Sequence, residues 1–301
     1  MHNSTMLRFQ LMSNLLLAAV SVTSLFAQGD KVRIIAFGAH PDDCDIRASG
    51  TAALWAKMGY PVKFVSVTNG DAGHQTMHGA ELARRRLAEA KESARRLGIE
   101  YEVLDNPDGK LLPTLEVREE IIRQIRGWKA DVVLAPRPND YHPDHRYTGV
   151  LVQDAAYMVV VPNVTPDVPA LRKNPVFFYY QDGFQRPNPF RPDVVVAIDD
   201  VIDKKLDALD SHVSQVYEWL PWVDGKLNEV PKDHVERRLW LKHWIATDPP
   251  PAVRAQLVKW YGGQKGNSVK YYEAFELCEY GSHADDARIR EIFPMLGSAP
   301  R

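Results

Sequence analysis

The alternation of apolar, β-branched segments with helical segments constrains the fold of this chain more than any other feature. The first apolar segment, residues 32–38, is followed by a helical pattern over residues 48–58 that stops at Gly59, a residue typical of helix ends. Strand-like and helical segments continue to alternate at the spacing of β-α-β units. This pattern is typical of an α/β domain with a mostly parallel sheet and helices on both of its faces.

The pattern predicts six strands and five helices before it becomes less regular. The predicted strands are residues 32–38, 62–67, 101–104, 131–135, 177–180 and 194–198. The predicted helices are residues 48–58, 81–97, 115–128, 147–161 and 199–216. After about Gln215 we predict a C-terminal helical extension, within a single domain over residues 28–301. Five of the seven tryptophans lie in this part: Trp219, Trp222, Trp240, Trp244 and Trp260.

These tryptophans allow two interpretations. They could form a lip on which a sugar ring stacks, above a site at the edge of the sheet. They could also pack the helical extension against the sheet, and this is the favoured interpretation because tryptophan is highly buried on average.

The first 27 residues have the pattern of a secretory signal peptide. Arg8 is followed by the mostly apolar segment 11–27, and the small residues Ser24 and Ala27 precede Gln28. An uncleaved membrane anchor is the alternative, but polar residues interrupt the segment and a spanning helix needs about 20 apolar residues. We therefore expect residues 1–27 to be removed, and the mature protein to be periplasmic or secreted, without an integral membrane segment.

Composition excludes several classes of protein. The formal net charge is −2, so the chain has no global attraction for nucleic acid or for an anionic membrane surface. Hydrophobic residues make up 45% of the chain, which is typical of a globular protein. The two cysteines, Cys44 and Cys278, form at most one disulfide and provide no cysteine-based zinc site. We expect Cys44 to be a buried free thiol.

Segments rich in His and Asp follow three of the predicted strands. His40-Pro41-Asp42-Asp43 follows the first strand, His142-Pro143-Asp144-His145 comes after the fourth, and residues 68–74 follow the second. In an open parallel sheet, ligands bind outside the carboxyl ends of the strands. The three segments are therefore expected to converge on one site, with His74 at the pocket wall.

The residue types in these segments indicate a catalytic metal. Zinc favours imidazole nitrogen and carboxylate oxygen, and a catalytic site uses three protein ligands. His40 and Asp43 supply two, and a histidine of the second segment would complete the set. Such a metal lowers the pKa of a bound water from about 15.7 to about 7. Asp42 is adjacent and is the candidate general base. The other histidine of the second segment could stabilise an oxyanion, oriented by Asp144.

Together these motifs resemble the PIG-L/LmbE-like deacetylase family, which includes N-acetylglucosaminyl-phosphatidylinositol deacetylases and the deacetylases of mycothiol and bacillithiol biosynthesis. The paired His-Pro-Asp motifs are highly specific, and the resemblance extends from about Val32 to Gly281. Further similar segments are residues 68–73, 86–89, 97–98, 208–209, 212–215 and 273–275. The resemblance implies a Rossmann-like fold and a zinc-dependent hydrolase.

The resemblance also assigns roles to individual residues. The zinc ligands that it implies are His40, Asp43 and His145. It implies that Asp42 is the general base and that His142 stabilises the tetrahedral intermediate or acts as an acid, tuned by Asp144. Arg86 is similar to an arginine that contacts substrate in some members. Fe²⁺ or cobalt would also suit a site with two histidines and one aspartate.

The implied reaction is removal of an N-acetyl group from an amino sugar or glycoconjugate. Cys44 stands where the family usually has Glu, a difference that bears on substrate subclass. A nucleotide-binding protein is excluded by the lack of a Gly-x-Gly-x-x-Gly or Walker-type loop. Two alternatives remain: a zinc amidase for another acyl group or a thiol conjugate, and an exported carbohydrate-binding protein without catalysis.

Overall fold

The computed structural model describes residues 31–297. Within this range, residues 32–297 belong to one compact unit. The predicted signal peptide lies outside the described residues. Within residues 31–297, no helix combines the length and the apolar character needed to cross a bilayer.

The core of the protein is a seven-stranded sheet with the strand order β3-β2-β1-β4-β5-β7-β6. The strands are β1 (Ile34–Gly38), β2 (Val62–Thr68), β3 (Glu100–Asn106), β4 (Val132–Ala135), β5 (Val176–Tyr180), β6 (Val194–Ala197) and β7 (Tyr272–Gly281). Strands β1 to β5 pair in parallel, whereas β7 is antiparallel to both β5 and β6. The prediction of a mostly parallel sheet is confirmed.

Helices cover both faces of this sheet. The helices are α1 (Asp43–Lys57), α2 (Gly79–Leu97), α3 (Leu115–Trp128), α4 (Pro143–Met158), α5 (Ile202–Ser211), α6 (Leu220–Val223), α7 (His234–Trp244), α8 (Pro251–Tyr261), α9 (Gly263–Ser268) and α10 (Asp286–Ile292). Because successive side chains of a strand point to opposite faces, Ile34 packs in the cluster that includes α1 and α5. Its neighbour Ile35 packs in the cluster that includes α3 and α4.

The C-terminal part differs from the prediction of a purely helical extension. Strand β7 lies there and is inserted between β5 and β6. The pattern did not reveal this strand because Glu273 interrupts its apolar residues, although Glu273 is itself buried. The packing interpretation is confirmed for Trp260, which is buried in the core, whereas Trp222 and Trp244 are exposed and the sugar-stacking interpretation stays a prediction.

Three predicted helices have different boundaries in the structure. Helix α1 begins at Asp43 and α4 begins at Pro143, each several residues earlier than predicted, so each His-Pro-Asp motif runs from a loop into a first helical turn. Proline at the start of α4 suits this position because its fixed φ is already helical. The predicted helix over residues 199–216 is divided into a short 3₁₀ turn, α5 and a π-helical segment, Ser214–Trp219.

The topology places a crevice at the carboxyl ends of β1 and β4. Strand β1 pairs with β2 on one side and with β4 on the other, so the direction of strand order reverses at β1. Open α/β sheets bind ligands at such a switch point. His40 leaves β1 at this crevice, and the segment 136–145 leaves β4 at the same edge.

Candidate metal centre and active site

Three side chains from the two motifs meet in the crevice. The Nδ1 atom of His40 lies 3.2 Å from Nε2 of His145 and 3.5 Å from Oδ2 of Asp43. The third edge of this triangle, from His145 Nε2 to Asp43 Oδ2, is 3.4 Å. These are the three residues that the resemblance implied as zinc ligands.

Two further carboxylates determine how the histidine rings are oriented. Asp108 Oδ1 lies 3.0 Å from His40 Nε2, in a contact without ideal hydrogen-bond alignment. Asp140 Oδ1 lies 3.0 Å from His145 Nδ1. Carboxylates that hold the outer nitrogen of a histidine fix its tautomer and leave the other nitrogen free to bind a metal. With a metal bound between the rings, the protons belong on His40 Nε2 and His145 Nδ1.

The remaining nitrogens, His40 Nδ1 and His145 Nε2, face each other at 3.2 Å and are the two that would bind a metal. A tetrahedral metal with bonds of about 2.1 Å separates its ligand atoms by about 3.4 Å. The three observed separations therefore fit a small tetrahedral cation held by His40, Asp43 and His145.

The charge around this triangle also favours a cation. The carboxylates of Asp43, Asp108 and Asp144 all lie within 3.5 Å of the His40 ring nitrogens. Burial opposes protonation of His40, but contacts with these three carboxylates more than offset it and raise the pKa of His40 well above its usual value. Burial raises the pKa of Asp43, but the charges of His145 and His40 lower it by more. The net pKa lies below the usual value, so Asp43 stays ionised.

Asp42 lies beside the triangle and is held by Arg86. The carboxylate Oδ1 accepts a hydrogen bond of 2.9 Å from Arg86 Nη2, and both side chains are buried. Burial raises the pKa of Asp42, and the Arg86 charge opposes this rise. The structure thus places Arg86 behind Asp42, with 2% of its surface exposed. This differs from the prediction that Arg86 contacts substrate, because the motif could not reveal which way the arginine is turned.

His142 caps the helix that carries His145. Its Nδ1 accepts a hydrogen bond of 3.2 Å from the backbone N–H of Asp144. The neutral ring therefore carries its proton on Nε2, which is available as a donor. Burial lowers the pKa of His142, and the charges of His40 and His145 lower it further. The structure supports a neutral donor here.

Comparison with known proteins identifies the family. Residues 35–156 match the family model PIG-L, described as GlcNAc-PI de-N-acetylase. A diacetylchitobiose deacetylase of Thermococcus kodakarensis is 36% identical over 206 residues, which cover 64% of this chain and 74% of that protein. The chain belongs to the PIG-L family of deacetylases. It is an enzyme of the hydrolase class that cleaves amide bonds.

Other relatives of this deacetylase show the breadth of the family. A mycothiol S-conjugate amidase of Streptomyces coelicolor is 27% identical over 190 residues, which cover 52% of this chain and 63% of that protein. The structure of N,N'-diacetylchitobiose deacetylase from Pyrococcus horikoshii, complexed with the inhibitor MPG, superposes with a TM-score of 0.61 at 26% identity. That match covers 92% of this chain and 94% of the other.

Two residues of the predicted site, Asp144 and His74, contact other groups in the structure than the sequence analysis predicted. The Asp144 carboxylate accepts hydrogen bonds from the backbone N–H groups of Gly109 and Leu111, and it contacts His40 instead of orienting His142. The His74 ring lies 2.8 Å from Glu218 and is largely buried, so it does not line a pocket as predicted. In both cases a long-range partner, invisible in the motif, determines the direction of the side chain.

The structure adds residues to the site that the sequence analysis did not assign. Asp108 and Asp140 orient the two histidines, as described above. Asp108 comes shortly after β3, so the rule that ligands bind beyond the carboxyl ends of strands could have revealed it. Tyr141 is 72% exposed, and its ring lies 5.8 Å and 5.6 Å from those of His142 and His145. It forms part of the rim of the site.

Cys44 lies next to Asp43 but points into the core. It is a buried free thiol, as predicted. Its Sγ lies 3.5 Å from the hydroxyl of Tyr180, and burial raises the pKa of the thiol well above its usual value. The protonated thiol is therefore an apolar part of the wall behind the metal centre.

Proposed function

We propose that this deacetylase removes the acetyl group from an N-acetylglucosamine-type amino sugar, with zinc bound by His40, Asp43 and His145. The observation that carries this proposal is the convergence of three ligand atoms, two of them nitrogens fixed by carboxylates, beside the buried Asp42. The similarity to two diacetylchitobiose deacetylases supports an N-acetyl amino sugar as substrate. The chitobiose-type sugars are thus the first substrates to test.

When bound, zinc supplies a Lewis acid that polarises the amide carbonyl and favours deprotonation of water. Asp42 accepts the proton of the water as its oxygen forms a bond with the carbonyl carbon. Arg86 keeps the Asp42 carboxylate oriented through the 2.9 Å hydrogen bond. As the carbon–nitrogen bond breaks, Asp42 returns the proton to the leaving amine, and the products are acetate and the free amino sugar.

His142 has a separate task in this proposal. Its Nε2–H donates a hydrogen bond to the carbonyl oxygen as negative charge develops there. A donor that is already oriented, here by the N–H of Asp144, stabilises this charge without reorganisation. The lowered pKa of His142 means that the ring acts as a neutral donor at pH 7.

The experiment measures release of the free amine from a panel of substrates, and of acetate from the N-acetyl substrates, by the purified, metal-analysed protein. The panel contains N-acetylglucosamine, N,N'-diacetylchitobiose, an amino sugar with a longer acyl group and a thiol-conjugate amide, each with and without a chelator. We expect acetate from the N-acetyl sugars, loss of the rate with chelator and its recovery on adding zinc. Cleavage of only the longer acyl group or of the thiol conjugate would instead support the amidase alternative.

Binding of a sugar without acetate release would support the carbohydrate-binding alternative. Metal analysis identifies the bound ion. The rates recovered with zinc and with Fe²⁺ at equal occupancy then show which of the two metals supports the reaction. Failure of every divalent metal to restore the rate would contradict the metal assignment.

We also propose that the protein is exported after removal of residues 1–27. The support is the pattern of Arg8, the apolar segment 11–27 and the small residues before Gln28. Sequencing the N-terminus of the protein isolated from fractions of its native host tests this. We expect a start at Gln28 or Gly29 in a fraction outside the cytoplasm, and an intact Met1 in the cytosol would contradict the proposal.

A further inference from the structure

The loop between β2 and α2, residues 69–78, supports one of the predicted metal ligands. The backbone N–H groups of Ala72 and Gly73 donate hydrogen bonds to Oδ2 of Asp108, at 3.4 Å and 3.0 Å. The other oxygen of Asp108 lies 3.0 Å from Nε2 of His40. The loop therefore fixes the carboxylate that orients the His40 ring.

The same loop lies against the side chain that holds the candidate base. The carbonyl oxygen of Gly70 accepts a hydrogen bond of 3.5 Å from Nη1 of Arg86, whose Nη2 donates to Asp42. A Cβ atom at Gly73 would lie 3.3 Å from both Arg86 Nη1 and Asp108 Oδ2 and would crowd them. A displacement of this loop would therefore disturb the metal ligand and the base together.

His74 connects the loop to the π-helical segment Ser214–Trp219. Its Nδ1 accepts a hydrogen bond of 3.0 Å from the backbone N–H of Met77, which closes a turn within the loop. The proton of the neutral ring is therefore on Nε2, which donates to Oε2 of Glu218 at 2.8 Å. Both ring nitrogens of His74 are thus used to hold the loop.

The π-helical segment is itself anchored, so it serves as a fixed support for the loop. Arg85 of α2 donates two hydrogen bonds to the Glu218 carboxylate, at 2.7 Å and 2.6 Å. The amide nitrogen of Gln215 donates to the carbonyl oxygen of Gly73 at 3.0 Å, which is a second connection between the segment and the loop. Helical segments of this rare type are frequent at functional sites.

We propose that Glu218 and His74 are positioning residues of the deacetylase, which hold loop 69–78 against Asp108 and so keep His40 in the orientation that binds zinc. The inference rests on the proposed function, which assigns the metal to His40. Neither Glu218 nor His74 lines the cavity at the metal centre, so the pair acts through the loop. His74 thus serves the site as a support of the loop and not as part of the pocket wall.

The test measures the zinc affinity of the purified protein and its variants by competition with a chromogenic chelator. His74→Ala and Glu218→Ala should each weaken zinc binding about three- to tenfold, the effect of losing one hydrogen bond. The double variant should bind zinc no more weakly than the single variants, because the two side chains act as one pair. Glu218→Gln keeps an oxygen that accepts from His74 and should recover part of the affinity.

A purely structural role would lower the melting temperature without changing the zinc affinity of the folded protein. Asp210→Asn is the matched control, since Asp210 also pairs with an arginine of α2, Arg96 at 3.0 Å, but forms no hydrogen bond or ion pair with the described residues of the loop. It should leave the zinc affinity at the wild-type value. Arg85 keeps Glu89 as an ion-pair partner at 3.2 Å when Glu218 is removed, so we expect Glu218→Ala to fold.

Three results would contradict the positioning role and leave the proposed deacetylation untouched. These are wild-type zinc affinity in both single variants, additive losses in the double variant, and an equal loss in Asp210→Asn. Acetate release by wild type tests the proposed function on its own. If wild type releases no acetate but the variants weaken zinc binding as expected, the proposed function fails and the positioning role stands. Absence of zinc binding by wild type would overturn both.

Discussion

The molecule contains two largely buried clusters of charged side chains that differ in how their hydrogen-bond donors and acceptors are matched. In the metal centre, His40 Nδ1, Asp43 Oδ2 and His145 Nε2 converge to within 3.5 Å of one another. In the Glu273 cluster, the carboxylate of Glu273 accepts hydrogen bonds from the backbone N–H groups of Gly50 and Thr51, from the Thr51 hydroxyl and from Lys205.

The difference shows how to distinguish a functional cluster from a structural one. Every oxygen of Glu273 has a donor, and the Lys205 ammonium has two backbone carbonyls besides Glu273 as acceptors. The opposite charges of Glu273 and Lys205 are paired and their hydrogen bonds are made within the cluster, which links α1 and α5 to β7. In the metal centre, three potential ligand atoms meet at 3.2–3.5 Å, in the geometry of a site that a cation would complete. Burial and charge alone would not have separated the two.

The largest effect on activity should come from removing a side chain that binds the metal. His145→Ala leaves two protein ligands, so we expect the variant to lose most of its metal and all measurable deacetylation, with little change in its far-UV circular dichroism. Metal content by mass spectrometry and acetate release measure the two effects. A variant that retains full metal and full rate would show that His145 is not a ligand.

Asp42→Asn should have the next largest effect. The amide keeps the shape of the side chain but does not accept the proton of water, so we expect kcat to fall about 10²–10⁴-fold. Metal content should remain at the wild-type value, since Asp42 is paired with Arg86 and not with the ligand triangle. Loss of metal in this variant would instead make Asp42 a ligand.

His142→Ala should lower kcat about 10²–10³-fold and keep the metal. Because the pKa of His142 is lowered, the ring is protonated only at acidic pH and is neutral at pH 7 and above. Loss of His142 should therefore leave the basic limb of the pH–rate profile in place. His142→Gln, which keeps a neutral N–H donor, should recover part of the rate. Disappearance of the basic limb in His142→Ala would show that a charged His142 is needed.

The smallest effect on catalysis should come from the Glu273 cluster. Glu273→Gln leaves the Lys205 charge buried without its partner, and breaking such a pair costs about 3–5 kcal/mol of unfolding free energy. We expect a lower denaturation midpoint in urea but an unchanged kcat per folded, metal-loaded molecule. Loss of activity without loss of stability would contradict the structural role and the comparison with the metal centre.

Sequence by itself determined the parts of the protein that depend on local patterns. The alternation of strands and helices gave the parallel strands β1 to β5, because buried parallel strands are continuous apolar segments. The two His-Pro-Asp motifs gave His40 and Asp43 as ligands together with one histidine of the second motif, because each motif follows a strand whose carboxyl end opens at the same crevice. The family resemblance chose His145, and these three residues meet at 3.2–3.5 Å.

Only the tertiary structure decided which way several side chains point and what they contact. Arg86 turns inward to Asp42, Asp144 binds the loop after β3, and His74 pairs with Glu218 from the π-helical segment. Strand β7 pairs with β5 and β6 across a long stretch of chain, and its buried Glu273 is stable only because α1 and α5 supply donors. The physical reason is the same in each case. A buried polar group takes its orientation from its partner, and a partner distant in sequence leaves no mark in a local pattern.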